Sequence, residues 1–313
     1  EEPIMFTPMI DDPEPGYWGG LVLNGLAPIN NGPTAYGESG TGADAGDNSG
    51  SLCYVRVEYA GKMIGTDNEM NAFSFIACGA RTELNHLQAY MCVDDGFEFF
   101  GGPHSGMLWQ QVMVMMDLIG NTVGLEMDNS GLLRLEELHL IEEGIEGYNL
   151  NQTDVELLPY SDPKLANISV INLSENSHHT GFYLSSDTKG SFMNMVIHGF
   201  QDEGCQVTRN LTIENMEAEE LTLTHSIIDN ANPLLFQDND FNIVAPSFSF
   251  ANAANNNTVA SGGSSVGFLY GIFGTTTTGA GDPTTLDPWF LPANYIGAVP
   301  DGDDWTAGWT IHL

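Results

Sequence analysis

Hydrophobic and polar residues alternate along much of the chain, in runs too short for the helices of a bundle and of the right length for strands. LCYVRVEYAG (52–61), LNHLQAYM (84–91), LRLEELHLI (133–141), ISVINLS (168–174), FMNMVIHGF (192–200) and LTLTHSII (221–228) show this pattern. Period-two alternation is the mark of a strand with one buried face. Several runs are followed by an acidic or polar turn, a glycine and a second short apolar run: VDDG-FEFFGG, EEG-IEGYN, HHTG-FYLSS and QDEG-CQVTR. The glycines are Gly96, Gly144, Gly181 and Gly204, with a looser copy at Gly124 in NTVG-LEM. Their spacings, between 20 and 37 residues, describe a degenerate repeat of solenoid size.

A unit of strand, tight turn, strand and loop suits an all-β, single-stranded parallel β-helix, in which each coil buries its apolar side against the next. The competing up-and-down barrel favours two-residue Asn-Gly turns between paired strands, and none joins the runs above. The predicted organisation is one domain: coils over 1–244, an Asn/Ser/Thr/Gly-rich excursion over 245–285, and an aromatic segment over 286–313 that closes the last coil with Trp289, Tyr295, Trp305 and Trp309.

Composition narrows the function. With 42% hydrophobic and 10% aromatic residues in 313, the chain has the material for a large core rather than disorder. Against 42 Asp and Glu stand only 7 Lys and Arg, a net charge of −35 that excludes nucleic acid and anionic membrane as partners. Polyanionic ligands are disfavoured too, unless cations bridge the like charges. No apolar stretch is long enough to span a bilayer; VMVMMDLIG is short and carries Asp117. The chain begins with neither Met nor a basic, apolar leader, so any signal peptide is expected to be processed or to lie outside it. Cys53, Cys78, Cys92 and Cys205 lack C-x-x-C spacing, which argues against a zinc ribbon and leaves disulfides and buried thiols equally open.

The ordered set PIMFTPMIDDPEPGYWGGLVLNGLAPIN, DNSGSLCYVRVEYAG, DNEMNAFSF, DDGFEFFGG, EEGIEGYN, DPKLANISVI and YIGAVPDGDDWTAGWT resembles a family of secreted or lipoprotein-type bacterial proteins. The resemblance runs from about Pro3 to Thr310. It implies a right-handed parallel β-helix and a secreted, extracellular or cell-surface location, and it brings no catalytic residues. After FEFFGG the chain continues PHSGMLWQQVMVMM, where the family has small polar residues. In the family further coils precede a segment like PIMFT, so N-terminal coils are expected to be missing here.

The acidic turns carry the clearest chemical signal. Asp94, Asp95 and Glu98 flank Gly96, Glu142, Glu143 and Glu146 flank Gly144, and Asp202 and Glu203 precede Gly204. Stacked in neighbouring coils about 5 Å apart, such carboxylates need protons or a cation, and calcium prefers flexible oxygen-rich sites. Asp67 and Glu69, and Asp44 with Asp47, are further calcium candidates without EF-hand order. Polygalacturonase-type motifs fail in their order: Asp94-Asp95 precedes Gln152-Thr153-Asp154, His198-Gly199 follows, and no Arg-x-Lys occurs. Gly263 to Gly267 matches G-x-S-x-G within a Ser/Gly tract and without a preceding strand. Sequons at Asn151, Asn167, Asn172, Asn210 and Asn256 are candidate glycan sites.

The function expected from these readings is an extracellular structural or surface protein, with enzymatic activity left open and not favoured. It self-associates end to end into an oligomer or fibre, with calcium at the acidic turns. Pro3, Ile4, Phe6, Trp305 and Trp309 are the expected contacts. The alternative is a polysaccharide-binding or polysaccharide-degrading protein with an acidic, aromatic face.

Overall fold

The computed structural model of the protein describes residues 2–29, 44–65, 69–101, 161–172, 180–262, 278–300 and 302–311 in full, and between them the backbone of the strands in 107–148 and 268–274. The strands come in successive coils. The first two coils hold β1 (Ile4–Phe6), β2 (Leu21–Asn24), β3 (Ser51–Glu58) and β4 (Phe73–Ile76). The next are β5 (Glu83–Tyr90) with β6 (Phe97–Phe100), β7 (Met107–Gln110) and β8 (Val114–Met116) with β9 (Leu125–Asp128), and β10 (Leu133–Ile141) with β11 (Ile145–Tyr148). There follow β12 (Lys164–Ile171) with β13 (Phe182–Leu184), β14 (Gly190–His198) with β15 (Glu203–Thr208), β16 (Leu221–Thr224) and β17 (Ile227–Asp229) with β18 (Asn232–Gln237), and β19 (Thr258–Ala260).

Among the described residues the coils build two sheets. The first runs β1-β3-β5-β7-β10-β12-β14-β17-β19, with β8 joining β5 to β10 and β16 beside β14; the second runs β2-β4-β6-β9-β11-β13-β15-β18. Every strand of these two sheets pairs in parallel with a strand one coil away. Alternation therefore sorts the side chains. In the second sheet Phe73 stacks on Phe97 with ring centroids 4.7 Å apart, and Phe75 on Phe99 at 4.9 Å. All four are buried, as are Phe182, Leu184, Cys205 and Val207 further along the same inward rows. The described repeat glycines Gly181 and Gly204 stand at the entrance to this sheet. A Cβ on Gly181 would lie 2.6 Å from Ile197 Cγ2 and 2.8 Å from the Gly204 carbonyl, so neighbouring coils approach too closely there for a side chain.

Left-handed residues make the corners, and the register aligns them. Midway along the first sheet Tyr54, His86, Asn167, Asn194, His225 and Asn256 all have φ between 51° and 58°. Ala77, Gly101 and Ser186 turn the chain out of the second sheet in the same way, and Arg209 does so with φ 77° and an extended ψ of 142°. A left-handed non-glycine residue costs about 1–2 kcal/mol, so the corners are held by their surroundings and not by local preference.

Residues 279–311 turn back along the outside of the first sheet. His225 Nδ1 lies 2.9 Å from the Gly279 carbonyl. Asn194 donates through Nδ2 to Gly281 O at 2.9 Å and accepts from Gly281 N at 2.8 Å. Asn167 Nδ2 donates to Tyr295 O at 2.8 Å, and Ala298 N donates to Ser169 Oγ at 2.8 Å. At the far end Gln88 exchanges two hydrogen bonds with Ile311, Arg56 donates to the Trp309 carbonyl at 3.2 Å, and the Trp309 ring packs edge-on against Tyr54 and His86. The expected closure of the last coil by this aromatic segment is thus corrected. Its backbone groups find partners in the bend residues of earlier coils, and it forms a strap from the coil of β17 back to that of β3. The expected excursion is corrected in part: Phe250 is buried in the core, and β19 adds to the first sheet beside β17. The short pair Phe268–Leu269 and Phe273–Gly274 is antiparallel.

Cys78, Cys92 and Cys205 are buried and not disulfide-bonded. Burial pushes the Cys78 and Cys92 thiols up to about 12 and raises Cys205 as well, so none is a reactive thiolate. No helix among the described residues is long and apolar enough to cross a membrane. The helix α1 (Asn210–Glu217) packs Ile213 and Met216 into the core. It ends with Glu220 N donating to Asn215 O and Glu219 N to Met216 O, with Glu219 at φ 60°. Glycine is preferred at that position. Glu219→Gly, at an exposed site, is expected to stabilise the protein by about 1 kcal/mol in urea denaturation.

Candidate functional site

The outward positions of the second sheet align as strictly as its core. The register sets Ser74 beside Glu98, Glu98 beside Glu126, Glu126 beside Glu146, Glu146 beside Tyr183, and Tyr183 beside Gln206. Three glutamates thus occupy consecutive positions of one row, about 4.8 Å apart along the backbone. The row two residues on carries Phe100, Asp128 and Tyr148 in adjacent strands.

The described side chains show how each end of the row is held. Glu98 is buried, and Asn71 Nδ2 donates to it as well as to Ser74 Oγ, while Asn71 Oδ1 accepts from the Asp95 backbone N–H at 3.2 Å. At the other end Gln206 Nε2 donates to Gln237 Oε1 at 2.8 Å, and Thr180 Oγ1 donates to Gln206 Oε1 at 3.4 Å. The Tyr183 hydroxyl lies 3.1 Å from Thr208 Oγ1, which donates to Ser185 Oγ at 2.9 Å. This half-buried end presents amides, hydroxyls and one aromatic ring, the groups that recognise sugar hydroxyls and ring faces.

The acidic candidates separate accordingly. Asp94 turns the chain into β6 with φ 64°, Asp95 is buried behind it, and Glu98 stands in the row with Glu146. Asp67, Glu142 and Glu143 lie outside the described residues, and Glu69 is half-buried in a loop. Asp44 pairs with Arg81 at 3.7 Å on the surface, and Asp47 accepts from Ser49 Oγ at 2.6 Å. Among the described residues no three His, Cys, Asp or Glu side chains converge to hold a metal. Glu126, Asp128, Tyr183 and Gln206 escaped the sequence reading. For all but Asp128 the signal was the residue after each repeat pair: Gly96-Phe97-Glu98, Gly124-Leu125-Glu126, Gly144-Ile145-Glu146, Gly181-Phe182-Tyr183 and Gly204-Cys205-Gln206.

Other expectations are redirected by burial. Asn167 is fully buried with its amide bonded to the strap, and Asn172 is 4% exposed, so neither has room for a glycan. Asn210 and Asn256 are exposed, and Asn151 lies outside the described residues. Trp309 is 2% exposed and so offers little to a self-association surface, while Trp305, which stacks on it, and Pro3 are half-buried, and Ile4 and Phe6 are exposed on β1.

A second charged cluster sits where the coils enter the first sheet. Lys164 Nζ lies 3.2 Å from Asp287 of the strap, and Lys189 Nζ 2.7 Å from Glu220. Between them Asp162 is pushed up to about 6 by burial, against the pull of Lys189 and then Lys164, with Glu220 adding to the rise. A carboxyl raised from 3.8 binds its proton more tightly in the folded state. Its stabilising contribution is present at low pH and is lost as pH rises through about 6. Asp162→Asn is expected to raise the melting temperature at neutral pH and to flatten its decline between pH 4 and 7; an unchanged pH profile would remove Asp162 as the cause.

Comparison with curated proteins and with solved structures gave no match. The sequence profile of a family described as a pectate-lyase-like β-helix domain matches residues 1–310. Parallel strands that stack coil on coil, buried aromatic rows and a match over nearly the whole length agree, and the chain belongs to the pectate-lyase-like β-helix family.

Proposed function

We propose that the protein is a polysaccharide-directed protein of the cell exterior, and that the glycan lies along the outward row of the second sheet. The observation that carries this reading is the register of Glu126 and Glu146 with Tyr183 and Gln206, beyond the buried Glu98 at one end of the row. Family membership supports it. A linear polymer suits a linear row, because successive coils offer equivalent positions at a constant step. The coils are right-handed in this reading, the sense that parallel crossovers adopt.

Adjacent glutamates cannot all ionise without a counter-charge. Calcium at this acidic row is part of the proposal, since hard cations take carboxylate oxygens as ligands. With a net charge of −35, the favoured glycan is neutral, or acidic only with calcium as the bridge. Affinity electrophoresis against neutral and acidic polysaccharides, with and without calcium, tests this. Retardation is expected with at least one polymer and is expected to weaken in Tyr183→Ala and in Glu126→Gln/Glu146→Gln. Unretarded migration throughout would reject the reading. Self-association keeps one supporting observation, the exposed Ile4, Met5 and Phe6 of β1; a strictly monomeric mass at high concentration would dismiss it.

A further inference from the structure

The loop that follows β18 holds an aromatic ring out to solvent. Phe241 is 54% exposed, and its backbone is left-handed at φ 60°, a conformation rare for a bulky side chain. The loop is nevertheless firmly built. Asp238 Oδ1 accepts from the Asp240 and Asn242 backbone N–H groups, both at 2.9 Å, and the Phe241 N–H donates to the Asp238 carbonyl at 3.0 Å. From the coil side Arg209 Nη1 donates to the Asn239 carbonyl and Asn210 N to Asn239 Oδ1, each at 3.0 Å. The Arg209 guanidinium lies 4.5 Å from the centre of the Phe241 ring, and a cation over one face fixes the plane of that ring. Backbone strain kept at an exposed side chain points to function rather than to stability.

The loop is joined to the outward row through two amides. Gln237 Nε2 donates to the Phe241 carbonyl at 3.0 Å, and Gln237 Oε1 accepts from Gln206 Nε2 at 2.8 Å. A primary amide has two N–H donors and two acceptor lone pairs. Gln206 uses one donor toward Gln237 and one acceptor toward Thr180, and Gln237 uses one of each toward Phe241 and Gln206. Among the described residues both amides therefore keep a donor and an acceptor for a ligand hydroxyl. Tyr183 stands two coils before β18, about 10 Å along the row, so an aromatic ring flanks the amides on either side.

We infer that Phe241 is the stacking platform for a pyranose ring of a neutral glycan, at the end of the outward row beyond Gln206; the inference rests on the carbohydrate reading above. The ring face turned away from Arg209 receives the C–H side of the sugar, and Gln206 and Gln237 bond its hydroxyls. A chair-shaped pyranose offers a flat C–H face, which a furanose lacks. The loop is held in place by its own hydrogen bonds before any sugar arrives, so little ordering is left to oppose binding. Charge selects the neutral polymer, since 42 acidic against 7 basic residues repel a chain of uronates.

The test is affinity electrophoresis of the full chain in soluble β-glucan, xylan and starch, with arabinan as the furanose arm and polygalacturonate as the acidic arm, beside thermal melting of each variant. Retardation by at least one of the first three is expected. Phe241→Ala and Phe241→Leu should weaken it about fivefold, and Phe241→Trp should preserve it. Phe241→Gly relieves the left-handed backbone, so it should lose the same retardation at a melting temperature equal to or above that of the unaltered protein. Undiminished retardation in Phe241→Ala and Phe241→Gly overturns the inference and leaves the outward row standing, whereas an unaltered protein that no polymer retards overturns the two together. Full retardation in Phe241→Leu, or retardation by arabinan or polygalacturonate alone, also overturns it. Should Phe241→Ala melt lower than the unaltered protein, Phe241→Gly carries the decision.

Discussion

Asn194→Ala is expected to destabilise the protein by about 3–5 kcal/mol, although it removes no apolar contact. Asn194 is fully buried, and its amide satisfies both the carbonyl and the N–H of Gly281 while its own carbonyl accepts from Gly297 N. Alanine would orphan two buried backbone groups, each worth about 1–3 kcal/mol. It would also sit at φ 58° without the local tolerance of asparagine. Asn194→Asp keeps the acceptor but sets a second oxygen against the Gly281 carbonyl, so it should recover only part of the loss. Urea denaturation of the three proteins measures the series; a loss below about 1 kcal/mol for alanine would mean that water replaces the amide.

Trp309→Ala should cost a similar amount, about 3–5 kcal/mol, but in a different place. The ring is buried between Tyr54, His86 and Trp305, and its indole N–H donates to the Trp305 carbonyl at 2.8 Å. Its loss frees the end of the strap that covers β3 and β5, while the contacts of Asn167 and Asn194 remain. Hydrogen exchange should therefore quicken in peptides spanning 51–58 and 83–90 and stay slow in 203–208 and 232–237. Uniform acceleration would show that the strap stabilises the whole molecule evenly.

The strands were legible because half-burial writes itself into alternation. LRLEELHLI coincides with β10, and FMNMVIHGF begins two residues inside β14. The repeat glycines were legible for the same reason, since close approach of coils excludes a side chain at a fixed point in each turn. The bends were visible but misread. Asn194 in FMNMV and His225 in THS interrupt their runs with a polar residue, and the interruption marks a corner. His86 and His225 share that corner column, whereas His198 stands in another row. The row of the candidate site lay in the residue after each Gly-apolar pair, obscured by more conspicuous acids in the turns. The strap could not be read at all. Arg56 and Trp309 are separated by 253 positions, and nothing in an aromatic spacing names a partner so far away.

That separation bears on how the molecule is made. A chain of stacked coils can fold in the order of its synthesis, each new turn settling on the one before. Here the outer surface of β3 and β5 is completed by residues that follow them by more than two hundred positions, so these strands wait through the synthesis of all the coils between before the Trp309 end of the strap reaches them. Chains interrupted before the strap would hold the coils from β3 to β19, yet leave Tyr54, His86 and Gln88 uncovered for proteases, and a chain that carries the strap would be distinguished from one that lacks it at coils made long before.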